Sequence, residues 1–483
     1  MLTILLLLLP LIFSLSIFFI KAKILAQRIA LFTSLVELIV GIIAIVGFNK
    51  SVPSDYIFEA DWIPSMGIRF AFGMDGLSIL LVLLTVVLVP FIILSTLNKT
   101  ENFPPSFYAL ILLMQAALIG VFTTTDAFMF YIFWELALIP IYFICAIWGG
   151  ENKIRITLKF FIYTMLGSLF MLASLIYLYL FTPLPHSFSI HALTGVMLTG
   201  SQQFWIFGGF FLAFAIKIPI FPFHSWQPDT YTIAPTAGSM LLAGIMLKMG
   251  IYGLLRFLIP VAPGIIVNIS PYVITLALIG LLYGSIIAIK QKEIKRLIAY
   301  SSFGHVGLMT AAIFSLTIDG LQGSVYQMLS HGVNVMALFF IAEIIQNRCE
   351  TTNISELGGI ARSAPRFAIF FMIVMLGSVA LPLTNGFIGE FLMLLGLAKY
   401  NLWVAAIAGL SVILGAVYMF RLYQHTMYGE SNTMTSNFKD LSIIEMTIAV
   451  PVTIIIIGMG IFPKPLIDIA QPILQQILLN IHN

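Results

Sequence analysis

Apolar stretches long enough to cross a lipid bilayer follow one another through nearly the whole chain. A membrane-spanning helix needs about 20 mostly apolar residues. Stretches of this kind occur at residues 1–20, 29–48, 77–98, 105–123, 126–148, 155–181, 204–232, 235–257, 270–290, 293–316, 319–346, 365–397, 401–427 and 442–462. The sequence therefore predicts an all-α polytopic membrane protein with about 14 transmembrane helices.

The composition agrees with a membrane protein and argues against other classes. Hydrophobic residues make up 60% of the chain and charged residues 9%, whereas soluble domains are about 45–50% apolar and about 25% charged. A net charge of +3 is too small to favour nucleic acid as a partner. Cys145 and Cys349 fall in or near predicted helices, so we interpret them as apolar packing residues and not as a disulfide or metal site.

The basic residues predict the orientation in the membrane. A cleaved signal peptide carries its basic residues before its apolar region, but here Lys21, Lys23 and Arg28 follow residues 1–20, so this stretch is predicted to be the first transmembrane helix. Basic residues collect in cytoplasmic loops. With the N-terminus outside, sixteen of the 23 Lys and Arg residues, Lys99 among them, lie in inner loops. Five lie in outer segments, namely Lys50, Arg69, Arg256, Lys399 and Lys464.

Two of the predicted helices are interrupted. Three prolines lie within residues 204–232, and residues 365–397 carry Gly377, Pro382, Gly386 and Gly389. Such breaks free backbone carbonyls, so they belong in protein interiors or beside water. They fall in the seventh and twelfth helices, which predicts two inverted five-helix repeats, helices 4–8 and 9–13.

The predicted domains follow from these repeats. The N-terminal helices 1–3 occupy residues 1–104, the two repeats occupy 105–257 and 258–427, and the last helix lies in 428–483. The longest connection, residues 49–76, contains a glycine-bearing stretch that predicts a small hairpin.

Ionisable side chains lie within six of the apolar helices. In chain order they are Glu135, Lys217, Lys248, His305, His331 and Glu390. A charge at the bilayer centre costs at least roughly 2.5–3.5 kcal/mol, so such residues are rare and often mark an ion or proton path. Glu135 and Lys217 are natural partners, because a buried charge is tolerated chiefly when it is paired.

Structural explanations exist for each of these residues taken alone. A buried histidine is often a hydrogen-bonded packing residue, and a buried glutamate can clamp two helices together. Six independent clamps on six helices explain the pattern poorly, so it favours a polar conduction path. The role of Glu37, in the second helix, stays open between packing, snorkelling and contact with a partner subunit.

Redox chemistry within the chain is not indicated. The sequence has no dinucleotide-binding glycine motif in a βαβ context, no phosphate-binding loop and no pair of cysteines two residues apart. His305 and His331 as haem ligands are disfavoured, because both belong to the half whose other ionisable residue is a carboxylate. No cofactor is therefore expected in this chain.

Several segments resemble the antiporter-like membrane subunits of respiratory complex I, the proton-pumping NADH:quinone oxidoreductase. They read KIPIFPFHSWQPDTYTIAPTAGSMLLAGIMLKMGIYGLLRF, QKEIKRLIAYSSFGHVGLM, LQGSVYQMLSHGVNVMALFFI and LPLTNGFIGEF. The resemblance covers nearly the whole chain. It is closest to the M type, also called the chain 4 type, because Glu390 stands where sibling subunits generally have lysine.

The resemblance implies a role for each of the six residues. Glu135 and Lys217 would form the switching ion pair, Lys248 the central relay, His305 and His331 the connecting histidines, and Glu390 the outlet group. The chain departs from the family pattern at three positions, Gln227, Tyr231 and Ile233, where leucine, histidine and an acid or amide are usual. These departures put the role of that loop in doubt.

The resemblance also implies partners and location. NAD, FMN and iron–sulfur clusters would belong to other subunits of the complex, as would the quinone site. The partners would be other membrane-arm subunits, including neighbouring antiporter-like ones, in a bacterial cytoplasmic membrane. A subunit of a multi-subunit sodium/proton antiporter or of a membrane-bound hydrogenase is the alternative, because both resemble this family and use the same lysines.

Overall fold

A computed structural model describes residues 1–52, 54–97 and 103–482. Most of these residues are helical. The helices are α1 Leu2–Phe18, α2 Lys23–Val46, α3 Gly76–Ser95, α4 Pro105–Thr123, α5 Ala127–Leu136, α6 Leu138–Trp148, α7 Lys153–Phe181, α8 Ile190–Thr194, α9 Gly200–Lys217, α10 Gln227–Ile233, α11 Thr236–Leu241, α12 Leu247–Gly253, α13 Ile259–Val261, α14 Pro263–Lys290, α15 Ile294–Phe314, α16 Ile318–Cys349, α17 Ile360–Ser363, α18 Pro365–Ser378, α19 Asn385–Tyr400, α20 Leu402–Met427, α21 Ile443–Ile461 and α22 Lys464–His482. Lys99, counted above among the inner basic residues, lies outside the described residues.

The prediction of a polytopic helical membrane protein is confirmed at this level. Eleven helices in the described part of the chain are long and apolar enough to cross a membrane, and α5 with α6 counts as one of them. The shorter apolar helices α1 and α18 lie at two further predicted spans. The count of fourteen and the inverted relation of the two repeats stay predictions.

The predicted hairpin is confirmed. Strand β1 (Asp55–Ile63) pairs antiparallel with β2 (Ile68–Met74), with Glu59 opposite Ala71. Gly67, in the turn, has φ +63°, a left-handed conformation that glycine adopts without steric cost. Directly after β2, the Asp75 side chain accepts hydrogen bonds from the amides of Leu77 and Ser78 and caps α3.

Helical structure stops within both proline- and glycine-bearing segments. Helix α9 ends at Lys217 and α10 begins at Gln227, whereas α18 ends at Ser378 and α19 begins at Asn385. The second gap holds Ala380 and Leu383 with φ of 56° and 73°, a region that residues with a Cβ rarely adopt. Each gap leaves backbone groups without helical partners in the middle of an apolar segment.

The described residues divide into two compact units. The first unit comprises 1–218, 245–271 and 468–483, and the second comprises 219–244 and 272–467. The units alternate along the chain, whereas the domains predicted from the sequence are continuous segments, and those domain boundaries stay predictions.

Helices α16 and α19 of the second unit approach each other through glycines. A Cβ added to Gly396 would lie 2.4 Å from the amide nitrogen of Gly320, and one added to Gly323 would lie 2.5 Å from the amide nitrogen of Met393. Small residues allow helix backbones to pack this closely within a membrane. This packing fixes the position of α19, which carries Glu390.

We predict that Gly396→Ala destabilises the second unit by about 1–3 kcal/mol, because the added methyl group would overlap the backbone of α16. The measurement is the thermal unfolding midpoint of the purified, assembled complex. Gly409→Ala on α20 is the matched control, because no heavy atom lies within 4 Å of an added Cβ there. Equal midpoints for the two variants would contradict the prediction.

Candidate functional site

Glu135 lies near the end of α5. The helix is started by Asp126, whose side chain accepts hydrogen bonds from the amides of Phe128 and Met129 at 2.9 and 3.0 Å. The sequence predicted one continuous helix over residues 126–148, but α5 ends at Leu136, and Ala137 separates it from α6. Glu135 therefore lies beside a helix irregularity four residues before Pro140, which cannot donate a hydrogen bond to the carbonyl of Leu136.

Lys217 is the last residue of α9, and its side chain is almost entirely buried, with 2% exposure. Its Nζ lies 5.2 Å from the ring centroid of Trp134, so the aromatic face stabilises the ammonium group. The carboxylate of Glu135 attracts Lys217 electrostatically. Within the described part of the chain, this attraction acts without a direct salt bridge between Glu135 and Lys217.

Lys248 lies on α12 and is fully buried. Wider π-helical turns, Leu242–Met246 and Leu254–Leu258, flank α12 on both sides. Such turns are rare and occur frequently at functional sites. They alter the direction of side chains, and Pro260, which cannot donate a hydrogen bond to the carbonyl of Arg256, follows the second turn.

Gly250 brings the helix of Lys248 close to Lys217. A Cβ added to Gly250 would lie 2.5 Å from Cγ1 of Ile218 and 3.3 Å from Cβ of Lys217. The two lysines of the first unit are therefore carried by helix segments in direct contact. Any residue larger than glycine at position 250 would move these segments apart.

In the second unit, His305 and Glu390 form a direct pair. His305 Nδ1 on α15 lies 3.1 Å from Oε1 of Glu390 on α19, and the two side chains are 12% and 5% exposed. A histidine and a carboxylate at this distance can hold one proton between them or become an ion pair, so the contact suits reversible proton binding.

His331 on α16 faces His305. Their ring centroids lie 5.7 Å apart. A polar cavity of about 10 Å³ is lined by both histidines together with Ser302, Gln327 and Asn334. One oxygen of each of these three residues has no hydrogen-bond partner within the described residues, so polar groups surround the space between the histidines.

Helix α16 also holds the start of α19. The hydroxyl of Ser330 donates to the carbonyl of Asn385 at 3.0 Å, and the amide of Asn334 donates to the Asn385 side-chain oxygen at 3.0 Å. These bonds tie the first residue of α19 to α16. Because Ser330 and Asn334 flank His331 on the same helix, the gap and the histidine are positioned by one element.

Several residues that shape these two clusters were not predicted from the sequence. Trp134 lies beneath Lys217, and its signal was hidden in an aromatic-rich stretch interpreted as packing. Gln327 packs against Gly389, where an added Cβ would lie 2.3 Å from Oε1. Tyr418 lies 3.0 Å from the hydroxyl of Ser301 and interacts electrostatically with Glu390.

The departures from the family pattern lie inside the second unit. Gln227 is fully buried, and its amide donates to the carbonyl of Ala299 at 3.3 Å. Tyr231 is also fully buried. Both side chains therefore contribute to packing between α10 and its surroundings.

The six predicted residues thus occupy two clusters of different chemistry. Glu135, Lys217 and Lys248 belong to the first unit, and the two histidines with Glu390 belong to the second. Among the described residues, no group of three metal-ligating side chains is present. The clusters suit the binding and transfer of protons by groups held away from bulk water.

Comparison with known proteins identifies the family. Residues 124–415 match the model of a transmembrane family described as NADH:quinone oxidoreductase/Mrp antiporter. The chain belongs to this family.

Relatives in the NADH:quinone oxidoreductase/Mrp antiporter family match over nearly the full length. NADH-quinone oxidoreductase subunit M of Rickettsia typhi is 41% identical over 466 residues, which are 95% of this chain and 93% of that protein. A chain of respiratory complex I from Thermus thermophilus with bound NADH is 32% identical with a TM-score of 0.91, covering 99% of this chain and 100% of that one. A chain of the Mrp complex from Dietzia sp. DQ12-45-1b has a TM-score of 0.89 at 17% identity, covering 100% and 99%, which shows the shared fold alone.

We predict that Gly250→Ala impairs proton transfer through the first cluster, because the methyl group would displace α12 from Lys217. The measurement is NADH-driven acidification in membrane vesicles that contain the assembled complex. Gly208→Ala on α9 is the control, because an added Cβ there has no heavy atom within 4 Å. Unchanged acidification with Gly250→Ala would show that the close approach is not needed.

Proposed function

We propose that this chain is a proton-translocating membrane subunit of an NADH:quinone oxidoreductase of the complex I type. The observation that carries the proposal is the presence of six buried or half-buried ionisable residues, in two clusters, in a chain 41% identical to a subunit M. The chain contributes no redox chemistry itself. NAD, FMN and iron–sulfur clusters act in other subunits, and quinone is reduced at another subunit.

Proton transfer follows the six residues in chain order. When a neighbouring membrane-arm subunit changes its charge, the attraction between Glu135 and Lys217 weakens, and a proton held by Lys217 becomes available to Lys248. His305 and His331 then connect Lys248 with Glu390, the outlet. Electrostatic coupling between successive groups is strong where the surroundings have a low dielectric constant. The movement of one charge therefore changes the proton affinity of the next group.

The polar cavity between the histidines supports this role. Its volume of about 10 Å³ is close to the minimum that one water molecule needs, roughly 10–15 Å³. The oxygens of Ser302, Gln327 and Asn334 that lack partners among the described residues are suitable hydrogen-bond acceptors for a water. A water held there would let a proton pass between two rings that do not touch.

The energy demanded of each step is modest. Moving one charge across 100 mV costs roughly 2.3 kcal/mol, and one pKa unit of differential interaction corresponds to about 1.4 kcal/mol. Rearrangement of a single buried pair can therefore supply the free energy for one proton-transfer step. We place the protein in a bacterial cytoplasmic membrane with its N-terminus outside, on the distribution of its basic residues.

We predict that Lys248→Ala abolishes proton pumping while the complex still assembles, because a buried lysine is replaced by a small apolar residue that costs nothing to bury. NADH-driven acidification and NADH oxidation are measured together in membrane vesicles. Lys439→Ala, at an exposed position, is the control. Wild-type pumping by an assembled Lys248→Ala complex would remove Lys248 from the path.

We predict that Glu390→Gln strongly reduces pumping, because glutamine cannot take up the proton that His305 gives at 3.1 Å. The same vesicle assay measures the number of protons moved per NADH oxidised. Glu430→Gln, at an exposed loop position, controls for the substitution itself. If the ratio stays at the wild-type value, Glu390 is not the outlet.

A further inference from the structure

A second buried charge pair lies in the first unit, apart from the residues assigned to proton transfer. Arg256 lies in the π-helical turn Leu254–Leu258, and Asp75 directly precedes α3. Arg256 Nη2 lies 2.6 Å from Oδ2 of Asp75, and the two side chains are 17% and 8% exposed. A pair this close and this buried is held in one arrangement.

The pair lies at the end of a polar stripe that starts at Lys248. Residues 248, 252 and 256 are four positions apart, so their side chains follow one face of the helix. Tyr252, midway between the two cations in the sequence, is fully buried, and its hydroxyl lies 3.4 Å from that of Ser78. Polar groups therefore continue from the central lysine towards Asp75.

Asp75 also lines a cavity of about 170 Å³, which has room for several water molecules. Lys50 and Gln476 line its mouth, and α22 forms one wall. The backbone of α22 approaches so closely that a Cβ on Gly76 would lie 1.9 Å from the carbonyl oxygen of Ile469. Lys50 belongs to the segments predicted to lie on the outer side of the membrane.

The hydrogen bonds around Arg256 all run outward from it. Its Nη2 donates to Asp75 and, at 3.1 Å, to the hydroxyl of Ser78, while its Nε donates to the hydroxyl of Tyr252 at 3.1 Å. The Tyr252 hydroxyl in turn donates to the carbonyl of Phe122 at 3.2 Å. A guanidinium group has donors and no acceptor, and proteins do not deprotonate it.

We propose that Arg256, fixed by Asp75, is a gate that closes a proton passage between Lys248 and this cavity. The inference rests on the proton-translocating function proposed above. A proton arriving at Tyr252 meets a fixed positive charge that repels it and a group that cannot accept it. Positive side chains in narrow pores exclude protons in the same way.

Displacement of Arg256 opens the passage. A proton then leaves the Lys248 ammonium group, passes along the hydroxyls of Tyr252 and Ser78 and binds the Asp75 carboxylate. Asp75 releases it to water in the cavity, so both hydroxyls and the carboxylate return to their initial protonation states and Lys248 is left neutral. One proton has moved and no other bond has changed.

Arg256→Gln tests the gate, because glutamine keeps hydrogen-bonding capacity and removes the charge. The purified complex is reconstituted in liposomes that contain a pH-sensitive dye, a pH gradient is imposed without NADH, and its decay is followed. We expect the gradient to decay roughly tenfold faster or more than with the wild type, because the repulsive charge is lost. Arg69→Gln is the control, because Arg69 is an exposed hairpin residue bonded to Glu59 and Asp61.

Two further variants separate the possible failures. Arg256→Gln with Lys248→Ala should restore slow decay, since the passage starts at Lys248; persistent leakage would show another route and overturn the proposal. Asp75→Asn keeps an oxygen for the α3 cap and weakens the hold on Arg256, so it should leak less than Arg256→Gln. If an assembled Arg256→Gln complex holds the gradient as the wild type does, or if Asp75→Asn, which lacks the accepting carboxylate, leaks as fast as Arg256→Gln, the gate is wrong, whereas pumping with NADH is judged separately.

Discussion

The cost of placing charge in hydrocarbon governs the arrangement of every ionisable group in this protein. Burying an ion costs roughly several kcal/mol of solvation free energy, and a nearby partner of opposite charge must compensate this cost. Arg256 has a carboxylate at 2.6 Å, and His305 has one at 3.1 Å. Lys217 has an aromatic ring and a carboxylate that attracts it without direct contact. A close carboxylate thus holds the permanent charge of Arg256 in place, whereas at His305 it can share a proton with the ring.

Helix irregularities accompany most of the groups that carry protons. Lys217 ends α9, Glu390 follows the gap before α19, Lys248 lies between two π-helical turns and Glu135 lies two residues before Ala137. Backbone polar groups freed from helical hydrogen bonds must find partners within the protein. These freed groups make the surroundings of the ionisable side chains more polar than regular apolar helices could.

The sequence predicted what depends on local composition. Spans, helix gaps, the hairpin and the rare buried charges all have signals within a few residues. The first π-helical turn has none, because tertiary packing decides it, whereas Pro140 and Pro260 mark the end of α5 and the second turn, and the prediction of continuous helices left these signals out. The amphipathic helix α22 was missed because its polar residues interrupt any uniformly apolar stretch. Arg256 was counted among outer basic residues, since nothing near it in the sequence indicates Asp75 as its partner.

Lys248 and Arg256 lie on the same helix face but have different roles, because their side chains differ in chemistry. A lysine in a buried site can lose its proton, whereas an arginine keeps its own. The first residue can therefore conduct a proton and the second can block one, although both are cations on the same stripe. A pump needs both properties, because a continuous path would let the gradient, roughly 2.3 kcal/mol per charge at 100 mV, drive protons back. The direct bond to Asp75 keeps the blocking charge in place.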